Sequence, residues 1–313
     1  MQPDFDATLD FDELYALLDE ERERQEGGKK LKIVQFTDPL CGWCYGMEPI
    51  MTKLRFLLAD RLEFSYTLGL MIPSASAIFG DGPDSLKLFS AMKYQLAYGY
   101  KMIERTTGMP MGIERLNEMK PENVSSLESS LAYEAVKIAE GPERAIDFMH
   151  MMRQAIYGFE TSISAREDVA MLANIFGIDM KAYDAAIESG QAKQALDEEV
   201  MHCRAMHVEG FPTLLITYEQ KSAIVHGYQP EETVAKAISH VSDGAIELSQ
   251  TEYSKQRMLE FLDRFGRVAA EELRAAFALT PQALVKIANE LMDEKLVDII
   301  PCANSFFVAR ALH

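Results

Sequence analysis

Cys41-Gly42-Trp43-Cys44 constrains this chain more than any other stretch, because of what flanks it. Before it, Leu31-Lys32-Ile33-Val34-Gln35-Phe36-Thr37 is apolar and β-branched and reads as a buried strand. After it, Tyr45 to Leu58 reads as a helix, which puts Cys41 at or just before the first turn. Unpaired N–H groups and the positive end of the helix dipole gather there and favour a thiolate over a thiol. A free cysteine titrates near about 8.5, and a helix N-terminus is one setting that lowers this value. Cys44, one turn on, is placed to attack a mixed disulfide formed at Cys41. Strand, C-x-x-C and helix in sequence point to thiol–disulfide chemistry. A structural zinc site needs two further ligands, whereas Cys203 and Cys302 stand apart from each other. No metal and no cofactor is expected.

Two features extend the pattern. Pro49 lies inside the presumptive helix, where a proline kinks the chain. Val208-Glu209-Gly210-Phe211-Pro212-Thr213 leads into the apolar strand Leu214-Leu215-Ile216-Thr217-Tyr218. Together these residues resemble the thioredoxin superfamily, where a proline five residues after the second cysteine and a Gly-x-Pro-Thr before a strand recur. The resemblance implies a cis proline at Pro212, packed against the cysteines, with Phe211 offering its backbone to a substrate peptide. Only an X–Pro bond adopts the cis form at little cost. The long gap between Cys44 and Pro212 is similar to that of DsbA-like disulfide oxidoreductases, which insert a helical domain there. Ser164-Ala165-Arg166-Glu167 and Leu172-Ala173-Asn174-Ile175-Phe176-Gly177 resemble that family's last helices. Asp38-Pro39-Leu40-Cys41-Gly42-Trp43-Cys44-Tyr45-Gly46 is similar to its cytosolic, FrnE-type branch. The resemblance spans about residues 30 to 243 and implies Cys41 as nucleophile and Cys44 as the resolving thiol.

One position departs from the pattern. Many thioredoxin-like enzymes carry a buried carboxylate six residues before the first cysteine, where it accepts a proton from the second. Here that residue is Gln35, which hydrogen-bonds but does not take up the proton. Asp38 either substitutes for it or serves as a turn residue before Pro39. Trp43 offers one N–H and no charge between the cysteines, so a less oxidising couple is expected than in relatives with histidine there. Gln35, Asp38, Gly42 and Trp43 are thus the expected support of the active site.

The fold class expected is α/β: a thioredoxin-like domain with an inserted α-helical domain, plus a C-terminal winged-helix-like module. Residues 1–30 read as an acidic helical arm, with Phe11, Leu14, Leu17 and Leu18 at helical spacing. Residues 31–83 and 208–243 form the discontinuous thioredoxin-like domain. Its expected parts are a strand near Arg61 to Met71, strands at 213–218 and 222–228 joined at Glu219-Gln220-Lys221, and a helix from Pro230 to about Val241. Residues 84–207 form the helical insert. Its helices are marked by Phe89, Met92, Leu96, Tyr100 and Ile103, by Leu127, Leu131, Ala135 and Ile138, and by Phe148, Met149, Met152 and Ile156. Ser164 and Glu167 form a capping box for a helix that Gly177 closes. Met71, Met109, Met111, Met149, Met151 and Met152 are either core fillers or a soft surface for unfolded peptides. Leu196, Val200, Cys203 and His207 share one helical face, so Cys203 reads as a packed thiol rather than a metal ligand beside His202.

Residues 244–313 read as three helices and a hairpin, which resembles a winged helix. Thr280-Pro281 starts the third helix as N-cap and first residue. Leu296–Ile300 and Ser305–Val308 pair across Pro301–Asn304, which places Cys302 in an exposed turn. Eight Lys/Arg face ten Asp/Glu in this stretch, so the footprint for phosphates is missing. A protein partner or self-association is the expectation there.

The formal net charge of −18 argues against general affinity for nucleic acid or anionic membranes. No apolar run of about 18 residues spans a membrane, and no signal-like segment opens the sequence, so the cytosol is expected. The leading function is a thiol:disulfide oxidoreductase acting on client proteins or low-molecular-weight disulfides. The alternatives are a redox-sensing or redox-inactive adaptor on a DsbA-like fold and, more weakly, a glutathione-dependent isomerase or transferase.

Overall fold

The first strand, β1 (Leu31–Thr37), is paired on both sides and organises everything around it. This computed structural model describes residues 30–121, 124–248 and 251–311. The acidic arm expected over 1–30 lies outside them apart from Lys30. Leu31, Ile33 and Gln35 alternate inward along β1, and Phe36 and Thr37 are buried where the strand passes under the helices. β1 runs parallel to β2 (Leu62–Leu68) and antiparallel to β3 (Thr213–Tyr218), which pairs with β4 (Lys221–His226). The sheet order is β2-β1-β3-β4. A parallel pair needs a crossover. The chain between Thr37 and Leu62 supplies it as two helices, α1 (Gly42–Gly46) and α2 (Glu48–Leu58).

The helix expected from Tyr45 therefore begins three residues earlier and is broken at Met47. Pro49 explains the break: without an N–H it cannot continue the hydrogen-bond ladder, but it fits the first turn of α2.

A run of helices follows β2. After the short α3 (Ala75–Phe79) it runs through the long α4 (Ser85–Thr107), a single turn α5 (Arg115–Glu118), and α6 (Leu127–Glu140) to α10 (Gln191–Ala205). Between the last two stand α7 (Pro142–Arg153), α8 (Arg166–Ile175) and α9 (Met180–Glu188). α6 packs against α7, α8, α9 and α10, so eight consecutive residues, Ser129 to Val136, are buried. Its expected apolar face is correspondingly broader, and Ile138 lies outside it at 43% exposure. The expected capping box fails: α8 begins with Ala165 at the cap, one residue out of register, and the Ser164 hydroxyl is buried without a partner among the described residues. Met109, Met111, Met149 and Met152 are core residues, while Met71 is exposed.

β3 and β4 are followed by α11 (Glu231–Val241). Beyond it come α12 (Lys255–Phe265), the two-residue strand β5 (Val268–Ala269), α13 (Ala270–Phe277), α14 (Pro281–Asp293), β6 (Val297–Cys302) and β7 (Ser305–Arg310). The Thr280 hydroxyl caps α14 by accepting from the Ala283 N–H at 3.1 Å. β7 pairs with both β5 and β6. The hairpin is longer than its apolar runs indicated. Its turn is Ala303-Asn304, and Cys302 is a strand residue paired with Ser305, buried rather than exposed.

This C-terminal part does not hang free. Phe56 of α2 meets Phe261 at 5.0 Å and Phe277 at 6.1 Å, while Phe307 of β7 packs into the same apolar core as β1.

Candidate functional site

The cysteines sit where β1 gives way to α1. Cys41 is the N-cap of α1, and its sulfur accepts from the Cys44 N–H at 3.2 Å. A tight turn leads into it, with the Cys41 N–H donating to the Asp38 carbonyl at 3.1 Å. The Asp38 carboxylate holds this turn in place. It accepts from Leu40 N at 2.8 Å, from Met71 N at 2.7 Å and from the Ser126 hydroxyl at 2.7 Å. Asp38 therefore ties the cysteine turn to the exit of β2 and the start of α6. Burial pushes its pKa up even so. Gln35 is fully buried, and its amide finds no partner among the described residues.

Gly42 and Gly46 let α4 approach closely. A Cβ on Gly42 would lie 2.8 Å from Ile103 Cδ1, and one on Gly46 would lie 2.9 Å from Thr107 Cγ2. Trp43 is half-buried against Tyr228, with ring centroids 5.5 Å apart. The Phe211–Pro212 peptide bond is cis. Phe36 pairs with Thr213, so the register carries Pro212 alongside Thr37 at the exit of β1. The Phe211 ring lies against Gly69, where a Cβ would come within 1.9 Å of its Cζ.

The sequence reading missed the charged cluster beneath the cysteines. Arg153, at the end of α7, has no solvent exposure. Its Nη1 donates to Glu48 Oε1 and, at 3.1 Å, to the Tyr66 hydroxyl, while Nη2 donates to Thr37 Oγ1. Thr37 precedes Asp38, and Glu48 opens α2, so both ends of the cysteine segment are anchored to one guanidinium. A signal was present: Arg153 falls on the Met149, Met152 and Ile156 face, where a charge inside an apolar stripe calls for a buried partner.

The two thiols titrate as a pair. Burial opposes ionisation of Cys44, but the Cys41 thiol, the Arg153 charge and the Thr37 hydroxyl outweigh it and bring its pKa down. Cys41 is pushed up, first by burial and then by the neighbouring Cys44 sulfur. The helix-end effect expected to lower Cys41 is thus overridden. α1 is barely more than one turn, and Cys41 is only 4% exposed. Burial also pushes the thiols of Cys203 and Cys302 up to about 12, which disfavours their thiolates. Cys203 donates to the Leu68 carbonyl at 3.5 Å. His202 stacks on Phe36 instead of joining a metal cluster, and no group of three metal-ligating side chains converges among the described residues. Nor is any described helix long and apolar enough to cross a membrane.

Residues 34–236 match the thioredoxin family Thioredoxin_5. The ClpXP adapter protein SpxH of Halalkalibacterium halodurans is 21% identical over 286 residues, covering 90% of each chain. The SpxH protein of Shouchella clausii is 22% identical over 290 residues, covering 90% of this chain and 89% of its own. The crystal structure of a candidate protein disulfide isomerase from Nitrosomonas europaea superposes with a TM-score of 0.54 at 20% identity, over 69% of this chain and 97% of its own. The chain therefore belongs to the thioredoxin family.

Proposed function

We propose that this protein is a thiol:disulfide oxidoreductase of the cytosol, cycling Cys41 and Cys44 between dithiol and disulfide. The observation that carries this reading is the Cys44 N–H aimed at the Cys41 sulfur at the head of α1, with a buried cation behind the pair. Cys41 exchanges with the disulfide of a client protein or small molecule, and Cys44 resolves the mixed disulfide. Gly42 and Trp43 shape the turn between them, Asp38 fixes its approach, and Gln35 packs beneath it. Phe211 and Pro212 form the edge along which a client backbone lies. Residues 31–83 with 208–243 act as the thioredoxin-like unit, and 84–207 as the insert that limits access. Residues 244–313 act as a winged-helix-like unit for a protein partner or self-association.

A second reading, an adaptor, is favoured by one observation. The SpxH alignments extend over about nine-tenths of the chain and so reach beyond residue 243, whereas the family match ends at 236. Trp43 is the only tryptophan and sits inside the pair, so its fluorescence reports the redox state. In a titration through thiol–disulfide buffers, a reversible two-electron transition is expected, abolished in Cys41→Ser. An unreactive pair, with partner binding retained in Cys41→Ser, refutes the oxidoreductase and leaves the adaptor.

A further inference from the structure

The exchange reading, on which this inference rests, requires Cys44 to act as a leaving group. When a client thiolate attacks the Cys41 sulfur of the oxidised pair, a new S–S bond joins client and Cys41. The Cys41–Cys44 bond breaks, and its electron pair passes to the Cys44 sulfur. The client sulfur is oxidised, Cys44 is reduced, and no proton moves. Cys44 then carries a full negative charge where it has no solvent exposure. An uncompensated charge in such a place is very costly.

The groups packed around Cys44 narrow what can compensate it. Gln35 on β1 is neutral. The Asp38 carboxyl is engaged by three donors, and Cys41 is the partner sulfur. Glu48 of α2 is engaged by Arg153 and Tyr66. The cation acting on Cys44 is Arg153 from α7. A guanidinium only donates hydrogen bonds. Nη1 is occupied by Glu48 and Tyr66, so Nη2 serves the cysteine side through Thr37 Oγ1. A hydroxyl oxygen accepting from arginine keeps its single proton to donate, and Cys44 is the sulfur it acts on.

We infer that Arg153 is a positioning residue for disulfide exchange: through Thr37 it directs a hydroxyl proton and a positive charge at the Cys44 sulfur as that sulfur leaves. The relay replaces the carboxylate absent at position 35. A sulfur held as thiolate needs no neighbouring base to take its proton, so a neutral Gln35 is compatible with exchange. The helical insert thereby supplies the electrostatics of the site as well as its walls.

The test reads Cys44 directly. In Cys41→Ser, ultraviolet thiolate absorbance follows Cys44 below the range in which the buried Cys203 and Cys302 ionise. In that background, Arg153→Met is expected to reduce the Cys44 acid dissociation constant about tenfold or more. Thr37→Val should reduce it by a smaller factor, and Thr37→Ser should restore it. Should Arg153→Met not fold, the Thr37→Val and Thr37→Ser pair decides. Unchanged Cys44 titration in the folded variants overturns the inference. With both cysteines present, Arg153→Met is expected to make the couple more reducing, because the reduced form loses its support. A Cys44 shift in a protein whose wild type shows no reversible couple defeats the exchange reading while leaving the Arg153–Thr37–Cys44 relay in place.

Discussion

Replacing Phe307 by alanine tests whether the C-terminal part and the thioredoxin-like part fold as one body. Phe307 is fully buried, and its ring fills the space beside Gly158, where a Cβ would lie 2.5 Å from the ring. It stacks on Phe159 with centroids 5.1 Å apart and lies 5.6 Å from the Arg267 guanidinium. A buried Phe→Ala change costs about 3–5 kcal/mol, and this includes an aromatic pair of about 0.5–1.5 kcal/mol. The upper half of that range applies, because glycine at 158 has no side chain to move into the cavity. A loss of about 4 kcal/mol is a large fraction of the stability of an ordinary domain, about 5–15 kcal/mol. With a urea slope of about 3 kcal/mol/M, the midpoint falls by about 1 M or more. The assay is urea unfolding of the reduced protein, followed in parallel by Trp43 fluorescence and far-ultraviolet circular dichroism. Trp43 packs on Tyr228 in the thioredoxin-like part, so a lowered midpoint at Trp43 means the cavity is felt there. An unmoved Trp43 transition, with an early phase confined to circular dichroism, would refute folding of the two parts as one body.

Two other perturbations bear on the same architecture. His150 of α7 and Glu272 of α13 form a buried pair at 3.0 Å. Burial works against the imidazolium, but Glu272 outweighs it and raises the His150 pKa. A histidine raised on folding contributes stability in full below its ordinary value of about 6.5 and loses it as pH climbs through the folded value. The melting-temperature difference between wild type and His150→Gln should therefore shrink as pH rises from the acid side, and a flat difference would contradict the pairing. Gly69→Ala places a methyl group where Phe211 Cζ now stands. Displacement of that ring should raise KM for peptide disulfides while the redox midpoint stays unchanged, and an unaltered KM would remove Phe211 from the client path.

What was legible in the sequence was what is local. Leu31–Thr37 is apolar and β-branched, ends at a turn and meets a C-x-x-C, so strand and site could be placed from neighbouring residues alone. Thr280-Pro281 fixed the start of α14 for the same reason. The Ser164 box failed by one residue, because capping depends on where the helix actually begins and tertiary packing set that point. Cys302 was misplaced because the apolar runs end before the hydrogen-bonded ladder does: Pro301 and Cys302 still pair, with Phe306 and Ser305. Arg153, Glu48, His150 and Glu272 were not singled out. Arg153 alone carried a local hint, a charge within an apolar stripe, and the identity of every partner depends on residues distant in sequence.

The same long-range contacts change how the two functional readings relate. Phe56 extends from the outer face of α2 into the aromatic cluster of α12 and α13, and Arg257 lies 4.5 Å from its ring. On the inner side, Tyr45, which follows Cys44 directly, shares an apolar core with Cys302 and Phe307 of the C-terminal hairpin. The two helices that carry the cysteine segment are therefore held from both sides by the C-terminal part. Interiors packed at this density transmit displacement instead of absorbing it. A partner that shifted α12 or the hairpin would act on the packing of Tyr45, the residue after Cys44. Oxidation of the pair would act back on the same surface, since linkage is reciprocal. An adaptor whose grip depended on its redox state and an oxidoreductase tuned by its partner would then be two measurements of one coupling free energy. The discriminating quantity is the ratio of partner affinities for the reduced and oxidised forms. A ratio of one separates the two functions, and any other value joins them.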